Sequence, residues 1–388
     1  MAQGGFRVEE VRPLSLSGSG LTRDIPIPPD RRNEDFESRY DFDTLWYDAI
    51  PDPKGVRLIC PKLFNLASVL RNGLRLNGRR AGAIRLRRHK RHDEVLVTGA
   101  AAEQLELVHG NWRAEAEVSR IDTTTFAGLN ASLHISRNNR LEWIADWARF
   151  HIAEHGLQAM LLMDNASDMY GPEDILEALA QTGLERAIVL KVPHPYGPPR
   201  GKTADGRRVS GNAKFLQPAM LNLARMRFLS QARAVLNADI DELIWTKGGS
   251  VFDAAVESRT GLVSIAGRWR MPSPQASAPS AHVDHTHLRP GDKPCPTKYC
   301  IAPNGPLGRF RWDVHRLETW LPLGRTPSPE FGYWHCRGIT TNWKSYERLS
   351  FKSVGARDTM TAAVLDRAFS KAPARLPPAQ EGETVTKP

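Results

Sequence analysis

Apolar and polar residues along this chain follow two rhythms, and the change between them falls near Ile121. Before it the signals are short and have the two-residue period of half-buried strands. Val56, Leu58 and Cys60 alternate with Arg57 and Ile59, Ile84 and Leu86 alternate with Arg85 and Arg87, and 95–97 is β-branched at both ends. Leu105 and Leu107, a turn at His109, Gly110 and Asn111, then Trp112, Ala114, Ala116 and Val118 alternating with Arg113, Glu115, Glu117 and Ser119 read as a hairpin. Together these predict a small β-rich module over 34–120. Residues 1–33, rich in Gly, Ser, Pro and charge, are expected to form a flexible lead.

After Ile121 strands and helices alternate. A strand over 131–136 runs into polar residues at 137–140. Leu141, Ile144, Ala145, Ala148 and Ile152 then recur at helical spacing, Trp143, Trp147 and Phe150 widen the apolar face, and Gly156 closes the helix. A second strand over 159–163 ends in Asp164, Asn165, Ala166, Ser167 and Asp168. Pro172 with Glu173 and Asp174 suits a helix first turn, and Gly183 ends that helix. A strand over 187–192, a helix over 218–231 and a strand over 234–245 follow. This order predicts an α/β domain over 121–350, with a mostly parallel sheet flanked by helices. A helix over 351–371 is expected next, then a disordered tail over 372–388, rich in Pro, Ala and acid.

At 388 residues and 43.3 kDa the chain has room for two domains. The excess of 53 Lys and Arg over 43 Asp and Glu leaves a formal charge of +10, which favours a polyanion, an anionic membrane surface or a phosphate-bearing substrate. The densest basic run is Arg85, Arg87, Arg88, Lys90 and Arg91, with His89 and His92. It lacks interleaved aromatics for base stacking, so nucleic acid is not favoured, and the plainest reading is a solvated hairpin tip. No leader pattern is present and no apolar run approaches the ~20 residues that span a bilayer. A cytoplasmic place is therefore expected, with peripheral contact at the inner face of a membrane left open. Cys60, Cys295, Cys300 and Cys336 are too few for a disulfide framework and read as reduced thiols.

The stretch with the most chemistry in it is 234–245. An apolar run reaches Asp239 and Asp241, and apolar residues resume at Leu243. If the backbone stays extended, both carboxylates share one side and Ile240 takes the other. Two such carboxylates repel each other unless a cation neutralises them, and hard divalent ions take oxygen ligands. In open α/β sheets ligands bind beyond the carboxyl ends of the strands. The polar clusters at 137–140, 164–168 and 239–241 each fall at such an end.

Asn138 and Asn139, followed by Leu141, Glu142, Trp143 and Ile144, then His151, Gly156, and Asp164, Asn165, Ser167 and Asp168, resemble the opening of family 2-like glycosyltransferases. The 237–242 segment is similar to their metal-binding signature. Trp334, His335, Cys336, Arg337 and Gly338, with Trp343 and Lys344, are similar to a closing His-containing block in some relatives, including the family 92 group. The resemblance spans 129–349; Asn139 departs from it, standing where family members often have Glu.

What the resemblance implies is a GT-A fold that moves a sugar from a nucleotide-sugar, most simply UDP-linked, to a polysaccharide or lipid-linked glycan. Arg137, Asn138, Asp164, Asn165 and Asp239 would bind the donor, with Asp164 facing the base. Asp239 and Asp241 would ligate manganese or magnesium. A downstream histidine, His315 or His335, would complete the shell; His315 is favoured for the metal and His335 as an acceptor or phosphate contact. Asp239, Asp241 and His335 would then be the catalytic set. Such an ion neutralises charge developing on the departing nucleoside diphosphate. Glu242 suits a structural acid anchoring the loop better than a general base.

Two rivals are weighed. Phosphatases of the haloacid dehalogenase kind also carry Asp-x-Asp at a strand end, but a Thr or Val usually follows the second Asp by two positions, where this chain has Leu243. A basic surface-binding protein would use the Arg85, Arg87, Arg88 and Arg91 run. His282, Asp284, His285 and His287, with Cys295 and Cys300, invite a zinc reading, yet their spacing matches no compact zinc pattern. Among Arg309, Arg311, Arg316, Arg337, Lys344 and Arg348, some are expected to clamp a diphosphate and most to be solvated.

Overall fold

The computed structural model describes residues 5–99, 101–203, 206–209, 211–291, 293–319, 326–340 and 354–370. Its centre is a ten-stranded sheet. Across it run Phe6–Glu10, Arg186–Lys191, Ala159–Asp164, Asn130–Ser136, Ala234–Asn237, Cys295–Ile301, Leu262–Met271, Phe331–Cys336 and Glu242–Thr246, with His287–Leu288 paired to Leu262–Met271. The first five are mutually parallel. Cys295–Ile301 enters antiparallel to Ala234–Asn237 and to Leu262–Met271, and Glu242–Thr246 is antiparallel to Phe331–Cys336. The sheet is thus mixed rather than mostly parallel, because hydrogen bonding turns over wherever a strand returns without a helical crossover.

Parallel strands need long crossovers, and helices supply them. Leu141–His155, Pro172–Ala180 and Leu216–Arg227 link the successive parallel strands. Gly156 ends the first with φ of 67°, its N–H reaching back to the carbonyls of His151 and Ile152. Strand alternation divides the core into two layers. Met160 and Leu162 pack with the Leu141–His155 helix on one face, while Leu161 and Met163 pack with Leu216–Arg227 on the other.

The amino-terminal region contains two four-stranded antiparallel sheets around Trp46, Leu58, Leu66, Val95 and Leu107. The hairpin read at Gly110 pairs Gln104–His109 with Trp112–Glu117. Residues 1–33, expected to be a flexible lead, include Phe6–Glu10, which extends the main sheet beside Arg186–Lys191. Arg7 pairs with Glu9 and Asp122 there. A five-residue alternation within a Gly- and Pro-rich stretch was too short to outweigh the local composition. The helix expected over 351–371 spans Thr359–Ser370. Trp343, Lys344, Arg348 and the 372–388 tail lie outside the described residues. No described helix is long and apolar enough to cross a membrane.

Candidate functional site

The order of the parallel strands reverses between Asn130–Ser136 and Ala234–Asn237, since later strands were added to one side before the chain crossed to the other. Crevices at such switch points are where α/β sheets bind ligands. The carboxyl end of Ala234–Asn237 leads straight into the acidic residues. There the chain leaves the strand at Ala238, turns, and resumes pairing at Glu242. The extended run expected through Asp239 and Asp241 is therefore broken by a tight turn.

That turn is built from its own carboxylates. Asp239 N–H donates to Glu242 Oε2 at 2.8 Å, and Glu242 N–H donates to the Asp239 carbonyl at 3.0 Å. Glu242 is 2% exposed, so its carboxylate is the anchor of the loop. Ile240 packs into the core and its carbonyl accepts from His282 Nε2 at 2.8 Å, while the Asp241 carbonyl accepts from Cys336 N–H at 2.7 Å.

A lysine that the motif reading passed over completes the near side. Lys298, 1% exposed, sets its ammonium 2.8 Å from Asp239 Oδ2 and 3.0 Å from Glu242 Oε2. Burial works against the ammonium, but the two carboxylates more than offset it and hold its pKa up. Burial also raises the Glu242 carboxyl, against the pull of Lys298. A cation thus already serves Asp239 from within the chain.

On the far side the partner is an imidazole. The register pairs Glu242 with His335, so the neighbouring Asp241 meets that ring, with His335 Nε2 2.9 Å from Asp241 Oδ2. Trp269 stacks on His335 at 3.8 Å between centroids, 12° from parallel, and Arg337 lies over Trp269. Asp241, Glu242 and His335 bring one potential ligand atom each to within 4.8 Å of the others. Of the two histidines weighed, the structure brings His335 to Asp241. His315 is exposed and places Nδ1 3.2 Å from the Thr297 carbonyl.

The strand leaving the turn is gripped by one helix face. Trp147 Nε1 donates to the Glu242 carbonyl at 2.7 Å. His151 Nε2 accepts from Ile244 N–H at 3.2 Å, and His155 Nε2 lies 2.8 Å from the Ile244 carbonyl. These residues follow at four-residue spacing, which puts them on one side of the helix.

The two neighbouring strand ends interlock. Asp164 accepts from the Ser167 hydroxyl and backbone N–H, and burial raises its pKa. Asn138, in the left-handed region at φ 54°, donates to Asp168 Oδ1 at 2.8 Å and accepts from Asp168 N–H at 2.9 Å; its own N–H reaches Ser167. Asn165 donates to the carbonyls of Val192 and His194. Arg137 lies 3.5 Å from Asp168, and Asn139 turns inward to Ser136. The result is a polar floor beside the acid turn, its nearer strand one inter-strand spacing (roughly 5 Å) and its farther strand two (roughly 10 Å) from Ala234–Asn237.

The histidines of the zinc reading have other duties. His282 holds Ile240, and His285 spans the carbonyls of Ala281 and Arg337. All four cysteines are free and buried. Compared with models of known protein families and with curated proteins, the chain matches none.

Proposed function

We propose that the protein is a GT-A type glycosyltransferase, moving a sugar from a nucleotide-sugar, most simply UDP-linked, to a polysaccharide or lipid-linked glycan. The observation that carries the reading is the acid turn at the switch point, with Asp241 against His335 and an interlocked polar floor at the adjacent strand ends. Such an arrangement suits a ligand that is polar along its length and anionic in the middle.

The donor set fits a divalent cation at Asp241, Glu242 and His335. An imidazole among carboxylates suits manganese better than magnesium, which prefers oxygen alone. When bound, the ion supplies neutralisation of charge on the departing diphosphate. Asp239 plays a different part, because Lys298 already balances it. The buried ammonium and the Glu242 anchor keep the turn in one conformation, so nothing need reorganise when a diphosphate arrives. Asp164, Asn138 and Arg137 would fix the nucleoside end by hydrogen bonds whose geometry is already set. Contact with the inner face of a membrane, drawn by the basic surplus, belongs to the same proposal.

The reading is tested by measuring nucleoside diphosphate release from a panel of nucleotide-sugars with manganese, using the full chain and Asp241→Asn. Release from one donor that Asp241→Asn loses supports it. Silence across the panel, with turnover of a simple phosphate ester, would move the assignment to a phosphatase.

A further inference from the structure

A second cluster lies well away from the acid turn, at the tip of the hairpin formed by Ile84–Arg88 and Asp93–Thr98. The tip closes with His89 N–H donating to the His92 carbonyl at 3.0 Å, and Lys62 holds the His89 carbonyl at 2.6 Å. His92 and Glu94 point to one side of the strand, being two residues apart. His92 is 1% exposed, Glu94 is 3% exposed, and the His89 side chain is 5% exposed. Arg85, Arg87, Arg88 and Lys90 of this basic run are exposed, as a solvated tip requires, but its histidines face inward.

Inside, Glu94 Oε1, His89 Nε2 and both ring nitrogens of His92 have no hydrogen-bond partner among the described residues. Buried polar atoms left so are costly, and one from each of the three residues, lying within 4.8 Å of one another, call for a shared occupant. Glu94 Oε1 stands 3.8 Å from His89 Nε2 and 3.7 Å from His92 Nε2, too far for hydrogen bonds. A tetrahedral ion with bonds of about 2.0–2.1 Å to nitrogen and oxygen sets ligand atoms about 3.3 Å apart, so small side-chain torsions close the site. Arg57 Nη1 donates to Glu94 Oε2 at 3.0 Å, which turns Oε1 to the rings. Arg57 and Lys62 are themselves balanced by Asp52 and Asp93. Behind His89, Glu318 Oε2 stands 4.0 Å from Nδ1, the place of the carboxylate that orients a ligating imidazole.

We propose that His89, His92 and Glu94 bind a zinc-class divalent cation, completed by water, which clasps the hairpin tip to the 311–318 segment. That segment already meets the tip through Arg91 with Asp313. It also touches the acid turn's strand, since Asn237 Nδ2 donates to the Val314 carbonyl at 3.2 Å and Tyr299 donates to the Asp313 carbonyl at 2.9 Å. The clasp therefore ties the β-rich region to the strand that carries the candidate site, and its existence does not depend on the function proposed for that site.

Metal content of the purified full chain, followed by chelation and titration with cobalt, tests the clasp. Expected are about one zinc per chain as purified and cobalt absorption of the tetrahedral type in the stripped protein. With the Asp241→Asn chain taken as the parent, so that the cation proposed at the acid turn does not contribute, affinity should fall at least about tenfold when His92→Ala or Glu94→Gln is added. Chelation should lower Tm of the parent and leave that of Glu94→Gln unmoved. If His92→Ala fails to fold, Glu94→Gln alone decides. Absence of cobalt absorption in the stripped parent, or parent-like titration of Glu94→Gln, overturns the proposal.

Discussion

Asp239 and Asp241 stand one residue apart and look equivalent in sequence, yet the fold treats them oppositely. Asp239 is balanced by the buried Lys298 ammonium and tied through its backbone to Glu242. Asp241 has the His335 imidazole 2.9 Å from its Oδ2. One half of the turn is scaffold and the other half is where an ion or ligand can be taken up. An acid pair at a strand end thus need not be a pair of ligands.

The sharpest way to break this division is to remove the ammonium. Lys298→Met leaves Glu242 and Asp239 without their cation in a site where Lys298 and Glu242 are almost wholly buried, and should destabilise the fold by about 3–5 kcal/mol in urea unfolding. Little or no loss would mean that the scaffold half is not held by charge.

Acid should loosen the frame behind the turn. His155 Nδ1 accepts from Val251 N–H at 3.2 Å, so Nε2 carries the proton given to the Ile244 carbonyl, and a second proton on Nδ1 would face an N–H. Burial accordingly lowers His155 from 6.5 to about 4. Because the folded value lies below the unfolded one, its contribution is whole above 6.5 and drains away as pH falls towards 4. The span corresponds to on the order of 3 kcal/mol by linkage. The urea midpoint should fall less between pH 7 and pH 4.5 in His155→Gln than in the parent; an equal fall in both would acquit His155.

The polar floor is expected to give the smallest effect. Asn138→Gly keeps the left-handed backbone but removes the bonds to Asp168, for a loss of about 1 kcal/mol in unfolding and a few-fold in donor affinity. An unchanged affinity would detach the floor from the acid half of the site.

Much of this was legible in the residue pattern. Apolar runs ending in polar clusters marked the strands at 130–136, 159–164 and 186–191, and Gly156 marked its helix end, because both signals are local. The acid turn was not legible, since burying Ile240 between two acids satisfies an extended strand and a turn equally. Lys298 left a faint trace, a single cation inside an apolar strand run at 297–301. That His335 rather than His315 meets Asp241 rests on a contact 94 residues apart in sequence, which the pairing of Glu242 with His335 brings about. Trp147, His151 and His155 could have been noticed, as their four-residue spacing places polar atoms on a helix face otherwise read as apolar.

The central claim is that the Asp241 half of the turn takes up a metal-bound diphosphate, and calorimetric titration with UDP, with and without manganese, tests it most directly. The account predicts manganese-dependent binding to the parent and a loss of at least about tenfold in Asp241→Asn, as expected when a ligand to the ion is removed. Manganese-independent binding, or binding that Asp241→Asn leaves intact, would contradict it.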